Sequence, residues 1–591
     1  MRINLLLTTG LLTVLLLSMQ YSSAQTNYYV NNTSGNDLNN GTSEVTAWKT
    51  IQKACNAATP NSIVQIKGGT YKENILVRVS GTTGNPITFK NYGNDVVIID
   101  GTGTTGTTLL TIKNKSYLNF EHLTLKNLTK KDAKGILIES SATADTPVTS
   151  LHFKNIIVTN INWTNSKTTQ PGYNDNAQPF IAYGRGITAT KAITDLVIDS
   201  CEFYNNIPGY SETMSIDGNI DGFTIKNNLV HDNMNIGIYA GGNYGECSVP
   251  ALDHTRNGII EKNTCYNNVA LYATSGGIYA DGAQHVVIQQ NRSYGNGYGI
   301  DIGCEENGST DSITVINNLI YKNTDAGISV GGYTTATSGE VKGCIFRNNT
   351  LFKNDDAQNG SGEFYITKAS NCTFENNIVY TNDQEVLMSL DTITPQTGNI
   401  FNYNCWYSPS NDPTNITVEW REISYNSFAA YKKGTSQDAN SLFKNPAISA
   451  VPGLNLLAGS PCINAGAPAT LIINGEKDYA GNPRVSGIVD IGAYELNSII
   501  TGVKDVVKNN GGVYVYPNPF QTTTVIYLRT PVNNGTLEIY DITGKRIQLL
   551  GNITGRQISV DGMHLKNGIY LYKITQRGNV IATGKLVFTG E

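Results

Sequence analysis

Two acids interrupt runs of small and apolar strand residues between positions 276 and 306, Asp281 in GGIYADG and Asp301 in GYGIDIG. Two carboxylates held about 6.5–9.5 Å apart suit inverting glycoside hydrolysis, one protonating the leaving oxygen while the other activates water. Asp217 in MSID, and Glu305 and Glu306 just past Asp301, are further acids nearby. Tyr239 and Tyr279 would offer flat apolar faces to sugar rings. A second cluster, Asp253, His254 and Arg256, lies in GGNYGECSVPALDHTRNG. Imidazole moves protons near neutrality, and guanidinium grips a carboxylate or sulfate with two bonds.

Each feature also has a plainer structural reading. An Asp at a strand end often bonds nearby backbone amides. Asp253 and Arg256 could staple their own loop as an ion pair. Asp217 reads equally as a third acid, a Ca2+ ligand or part of a solvated face. No cofactor is required by this chemistry, and Ca2+ stays open because its six to eight oxygen ligands cannot be certified from sequence.

These groups can cooperate only if something repetitive holds them in line. The phrases CEFYNN, NLVHDN, NTCYNN, NRSYGN, NLIYKN, NTLFKN and NIVYTN recur at spacings of 27, 35, 28, 27, 31 and 28 residues. Each has an aromatic residue or His three places on and Asn five places on. A unit this short cannot bury a core alone, but stacked units can. Alternation such as FTIKN and SITVINN predicts short strands. Asn at a fixed place per turn tolerates left-handed backbone and can bond its neighbours above and below as a ladder. The expected fold is an all-β parallel coil.

Aligning the strand after each Asn phrase gives an inward column of Ile187, Met214, Ile238, Ile278, Ile300, Ile328 and Phe364. The next residues point outward: Thr188, Ser215, Tyr239, Tyr279, Asp301, Ser329, Tyr365. Two places on run Thr190, Asp217, Gly241, Asp281, Gly303, Gly331 and Thr367. Asp281 and Asp301 then sit diagonally on adjacent turns, about 8 Å apart at Cα. The glycines would leave room for a polymer. The 35-residue gap predicts a loop over this face, where solenoids often carry substrate contacts.

The repeats resemble the right-handed parallel β-helix of the pectin-lyase-like fold, from about Tyr28 to Glu495. The segment YYVNNTSGNDLNNGTSEVTAWKTIQKACNAA resembles the entry cap of such secreted polysaccharide-degrading proteins, with a plug helix at about 48–58. SPCINAG, DYAGNPR and DIGAYE resemble the exit. The resemblance implies a polysaccharide substrate but not the reaction. The polygalacturonase-type series NTD, DD, GHG and RIK is missing from the repeat region, and the calcium-site pattern of pectate lyases is not evident.

From 513 onward YPNPF, the Asp541–Gly544 turn, NGIY and the terminal KLV resemble the type IX secretion sorting domain of Bacteroidetes, expected as a small β-sandwich after a linker at 496–512. Residues 1–24 read as a signal peptide, with the enzyme domain at 25–495. Together these imply export through the periplasm to the cell surface or medium, with the type IX machinery as partner. No later stretch is long and apolar enough for a membrane span. A net charge of −5 gives no footprint for nucleic acid. A monomer is expected.

The leading expectation is therefore a glycoside hydrolase. A polysaccharide lyase acting on a uronic-acid polymer is the first alternative, with His254, Arg256 and His285 for its base and carboxylate clamp. Acids outnumber Lys and Arg roughly two to one between 201 and 350, which is unfavourable to a polyanion without a metal. A non-catalytic glycan-binding surface protein is the third reading. Nine cysteines without a CxxC pair argue against a zinc site. Cys344 and Cys372 are expected to stack on neighbouring turns, bonded or merely in contact.

Overall fold

The computed structural model describes residues 25–143, 147–334, 336–468, 476–484, 488–496, 514–516 and 518–590. The expected signal peptide and nearly all of the expected linker lie outside the described residues. Two compact units result, divided between Leu496 and Asn497.

The first unit is a parallel β-helix. Each turn contributes one strand to each of three long sheets. Face one holds 15 strands starting at Thr26–Val30, face two 13 starting at Gly69–Tyr71, and face three 13 starting at Ile75–Val77. Side chains alternate in and out, so apolar columns from all three faces fill the interior from Val30 to Val418. Face three carries the column Phe180, Met214, Ile238, Ile278, Ile300, Ile328 and Phe364 in continuous register. The sequence alignment is right from Met214 onward and wrong at its first member. Ile187 is exposed in a loop, and Phe180 takes its place. Thr188 and Thr190 fall with it: Thr188 caps a short 3-10 turn at Ala189–Lys191.

The repeat asparagines build two ladders rather than one. In the first, Asn228, Asn263, Asn291, Asn318, Asn349 and Asn377 each donate backbone N–H and Nδ2 to the Oδ1 of the next, ending on Asn404. Each Nδ2 also reaches a backbone carbonyl one turn back, such as Asn291 to Ile260 at 2.9 Å. The second runs Asn206, Asn233, Asn268, Asn296, Asn323 and Asn354. Both terminate on buried carboxylates. Asn354 donates to both oxygens of Glu363, and Asn404 donates to Asp438. Left-handed backbone falls on the residue before each first-ladder asparagine, for example Asn227, Asn317 and Asn348, not on the ladder residue itself. On face two the repeat aromatics stack, with centroids 5.4, 4.7, 5.0 and 4.9 Å apart along Tyr204, His231, Tyr266, Tyr294 and Tyr321.

The entry helix forms at Ile51–Ala57, capped by Thr50 accepting from the Lys53 N–H, and buries Ile51, Ala54 and Cys55. A second helix, Phe428–Thr435, covers the other end with Phe428 and Tyr431 buried. The exit segment folds back along the coil. Fully buried Arg484 bonds Glu495 and Asn317, and Glu476 pairs with Arg347 at 2.5 Å. All nine cysteines are free and buried. The Cys344 and Cys372 thiols touch as expected, and so do those of Cys405 and Cys462.

The second unit is a five-stranded antiparallel sheet around its own core of Phe520, Ile526, Leu537, Ile539, Val560 and Leu586. Its two longest strands, Thr523–Asp541 and Arg546–Asp561, shift register repeatedly. The sheet therefore bends on itself around that core, as the small β domain expected from the sequence. Pro517 of the YPNPF phrase lies outside the described residues.

Candidate active site

The outward columns of face three agree with the sequence reading. Ser215, Tyr239, Tyr279, Asp301, Ser329 and Tyr365 lie side by side. Asp281 aligns with Gly241 on one side and Gly303 on the other, so it is diagonal to Asp301 on the adjacent strand. The two acids nonetheless differ in surroundings. Asp301 is half-buried and lines a cleft of about 480 Å³ with Glu305, Tyr279, Tyr298, Tyr333 and Tyr365. Asp281 is 1 % exposed and every oxygen is engaged. Its Oδ1 accepts the Glu305 backbone N–H at 2.9 Å, and its Oδ2 accepts the hydroxyls of Tyr244 at 2.5 Å and Tyr239 at 3.4 Å. Asp281 thus holds Glu305 in place, and Glu305 is the acid that meets the cleft beside Asp301.

The tyrosines explain the glycines. A Cβ at Gly303 would lie 2.5 Å from the Tyr279 hydroxyl, and one at Gly241 would lie 2.3 Å from the Tyr239 ring. The missing side chains make room for these rings, not for a polymer. Tyr239 and Tyr279 are each 5 % exposed and meet edge to face at 5.6 Å, so Tyr239 offers no flat surface to a sugar. Tyr298 and Tyr365, parallel to within 17° with centroids 6.4 Å apart, and Tyr333, 61 % exposed, supply aromatic surface instead.

Burial without a cationic partner governs the electrostatics. Asp301 is pushed up to about 8 by desolvation, opposed by a Ser329 bond and assisted by the charges of Glu305 and Asp281. Asp281 is also raised, by desolvation and then by Glu305. Glu305 is exposed as a residue, but its carboxylate tucks against the Tyr279 hydroxyl at 3.1 Å and the Tyr244 hydroxyl at 3.5 Å, and desolvation there raises it. Glu212, two residues before Met214, feels the same field and is raised to about 8 by desolvation. It precedes the Met214–Gly218 strand, outside the alternation that marks outward residues. Asp217 is buried, bonds the Gly218 N–H at 2.7 Å and is raised by desolvation and the nearby Asp253.

The long loop contributes differently from expectation. Asp253 is 2 % exposed and accepts the N–H groups of Gly245 at 2.6 Å and Cys247 at 2.8 Å, which closes the loop. His254 is buried against the Gly282 carbonyl at 2.7 Å. Arg256 pairs with Asp221 at 3.1 Å and Asn219 at 2.9 Å, so the staple is real but its acid is Asp221. None of the three lines the cleft. The loop's contribution is Tyr244, placed over Asp281. Its signal was legible: the residue sits in GGNYG directly after the Tyr239 strand.

Among the described residues that line the cleft there is no Lys, Arg or His. Among the described residues no three His, Cys, Asp or Glu side chains gather to hold a metal ion, and no helix is long and apolar enough to cross a membrane.

A family model described as a secretion system C-terminal sorting domain matches residues 514–589. The chain therefore carries an export signal of the type IX system, which directs it to the cell surface or the medium. Among solved structures, pectate lyase Pel9A shares 15 % identity at a TM-score of 0.41, covering 80 % of this chain and 97 % of its own. XylC in complex with xylose shares 11 % identity at 0.45, covering 80 % and 98 %. The uncharacterized protein YwoF of Bacillus subtilis (strain 168) is 32 % identical over 466 residues, 75 % of this chain and 94 % of its own length, and the chain belongs to the same family as that protein.

Proposed function

We propose that the protein is an exported glycoside hydrolase acting on a polysaccharide of neutral sugars. The observation that carries this reading is Asp301, raised to about 8 beside Glu305 in a cleft lined by tyrosines and by no cationic side chain. A carboxyl protonated at neutral pH can give its proton to a glycosidic oxygen. Glu305 then carries the negative charge, and that charge helps keep Asp301 protonated. The Glu305 carboxylate takes a proton from water as it attacks the anomeric carbon. Asp281 and Tyr244 position Glu305, and Tyr298, Tyr333 and Tyr365 hold sugar rings.

Elimination on a uronate requires its carboxylate to be neutralised and a weakly acidic proton to be removed. Of the groups suited to that work, His254 and Arg256 are committed to Gly282 and Asp221, and His285 is exposed outside the cleft lining. This favours hydrolysis over the lyase alternative. The test is to incubate the protein with neutral, pectic, alginate and sulfated algal polysaccharides. New reducing ends without the ultraviolet absorbance of an unsaturated uronide are expected. Absorbance would identify a lyase, and binding without either signal would identify a glycan-binding protein.

A further inference from the structure

Face three continues past the cleft. From Asp301 the outward column runs through Ser329, Tyr365 and Ser389 to Glu419, four strand steps or about 19 Å. Past that face, on the core side of the Thr417–Trp420 strand and against the end helix, a second depression of about 430 Å³ opens between Trp420, Arg421, Ile423, Tyr425 and Gly434. One short segment forms the wall between the two hollows: Ile393 lines the first, while Thr392 and Thr394 line the second. Residues of both hollows hold that wall. Tyr365 donates to Asp391 at 3.1 Å, and Arg421 donates to the side chain and backbone of Gln396.

The lining of the second hollow combines aromatic and polar groups in the manner of a carbohydrate site. Trp420 and Tyr425 are half-buried and Ile423 is 53 % exposed, giving apolar surface. Glu422, Thr392 and Thr394 add exposed acceptors and donors. Arg421 is exposed, yet its guanidinium is occupied by Gln396, so it is not free to fix a uronate.

We propose that this hollow is a distal binding site for the same neutral polysaccharide chain, several sugar units from the bond that is cut. The proposal rests on the hydrolase reading above. It makes the enzyme one that acts within or along a polymer and discriminates by chain length, because only a chain long enough to cross the wall at 391–396 fills both hollows at once. Binding at a remote site then strengthens capture of long chains without touching the reacting atoms.

The test uses the full chain with mixed-linkage β-glucan, xylan and galactomannan, and short oligosaccharides cut from each. Trp420→Ala is expected to lower kcat/KM on the polymer cleaved by about tenfold, through KM, and to leave the short oligosaccharide unchanged. Trp420→Phe should restore most of the loss. Trp420 contacts Phe401 and Tyr431, so exposed Ile423→Ser provides a variant that leaves the core intact, with a smaller effect in the same direction. Retention of catalytically silent Asp301→Asn in gels containing each polymer gives a readout independent of turnover, and adding Trp420→Ala should weaken it. Equal loss on long and short substrates, or retention indifferent to Trp420, overturns the distal site and leaves the hydrolase reading standing. Absence of both cleavage and retention on all three polymers overturns both.

Discussion

Asp301 and Glu305 divide the work between them through their surroundings. Asp301→Asn removes the proton donor and is expected to lower kcat by about 10²–10⁴-fold, with Glu305→Gln similarly damaging. Asp281→Asn should act through the position of Glu305, and therefore on kcat with the melting temperature also affected. The pH profile of kcat/KM should fall above about 8, the value to which burial pushes Asp301. A profile flat to pH 10 would remove Asp301 from the acid role. Tyr244 lowers the pKa of Asp281 by donating to it, so Tyr244→Phe is expected to let Asp281 hold its proton to higher pH. Glu305 loses a Tyr244 bond that lowers it as well, so the acidic limb of the profile should move to higher pH.

At the scale of the element, the two amide ladders are the coil's most exacting feature. Asn291→Ala would strip acceptors from the N–H and Nδ2 groups of Asn263 and donors from Asn318 Oδ1 and the Ile260 carbonyl. Each buried group left unpaired costs about 1–3 kcal/mol, so a loss of about 3 kcal/mol or more is expected in denaturant unfolding. The readout should be local. Because each turn touches only its neighbours, hydrogen exchange should accelerate around the turns of 263–321 before it does near the entry helix. The glycines of face three are equally specific: Gly303→Ala must move Tyr279 away from Glu305, and activity should fall further than stability.

For the molecule as a whole, three acids are raised to about 8 by burial: Glu212, Asp301 and the ladder terminus Glu363. Their unfolded values are about 4, so between pH 4 and 8 the folded chain binds more protons than the unfolded one. The stability they contribute is present below pH 4 and drains away as pH rises to about 8. The melting temperature should therefore fall from pH 5 to pH 9. Glu363→Gln should flatten that fall, whereas an unchanged slope would mean Glu363 ionises freely in the coil. The two units have separate cores. A chain ending at residue 496 should keep its unfolding transition and its turnover, while cells producing it should fail to deliver it to the surface, because the matched sorting domain is gone.

Much of this was readable from spacing alone. Ladder positions, the inward column from Met214 onward and the diagonal of Asp281 and Asp301 follow from two periods, that of the strand and that of the turn, and local sequence expresses both. The sorting motifs were equally plain, since their order is itself the signal. What the sequence could not decide is which side of a half-buried acid meets water. Asp281 and Asp301 look alike in a string, and only the rings of Tyr239 and Tyr244, arriving from the preceding turn and its loop, bury one and leave the other open. Likewise Asp253, His254 and Arg256 form a cluster in sequence but find partners in Gly245, Gly282 and Asp221. Solvent access and pairing depend on residues distant in the chain, and these meet only when the coil closes.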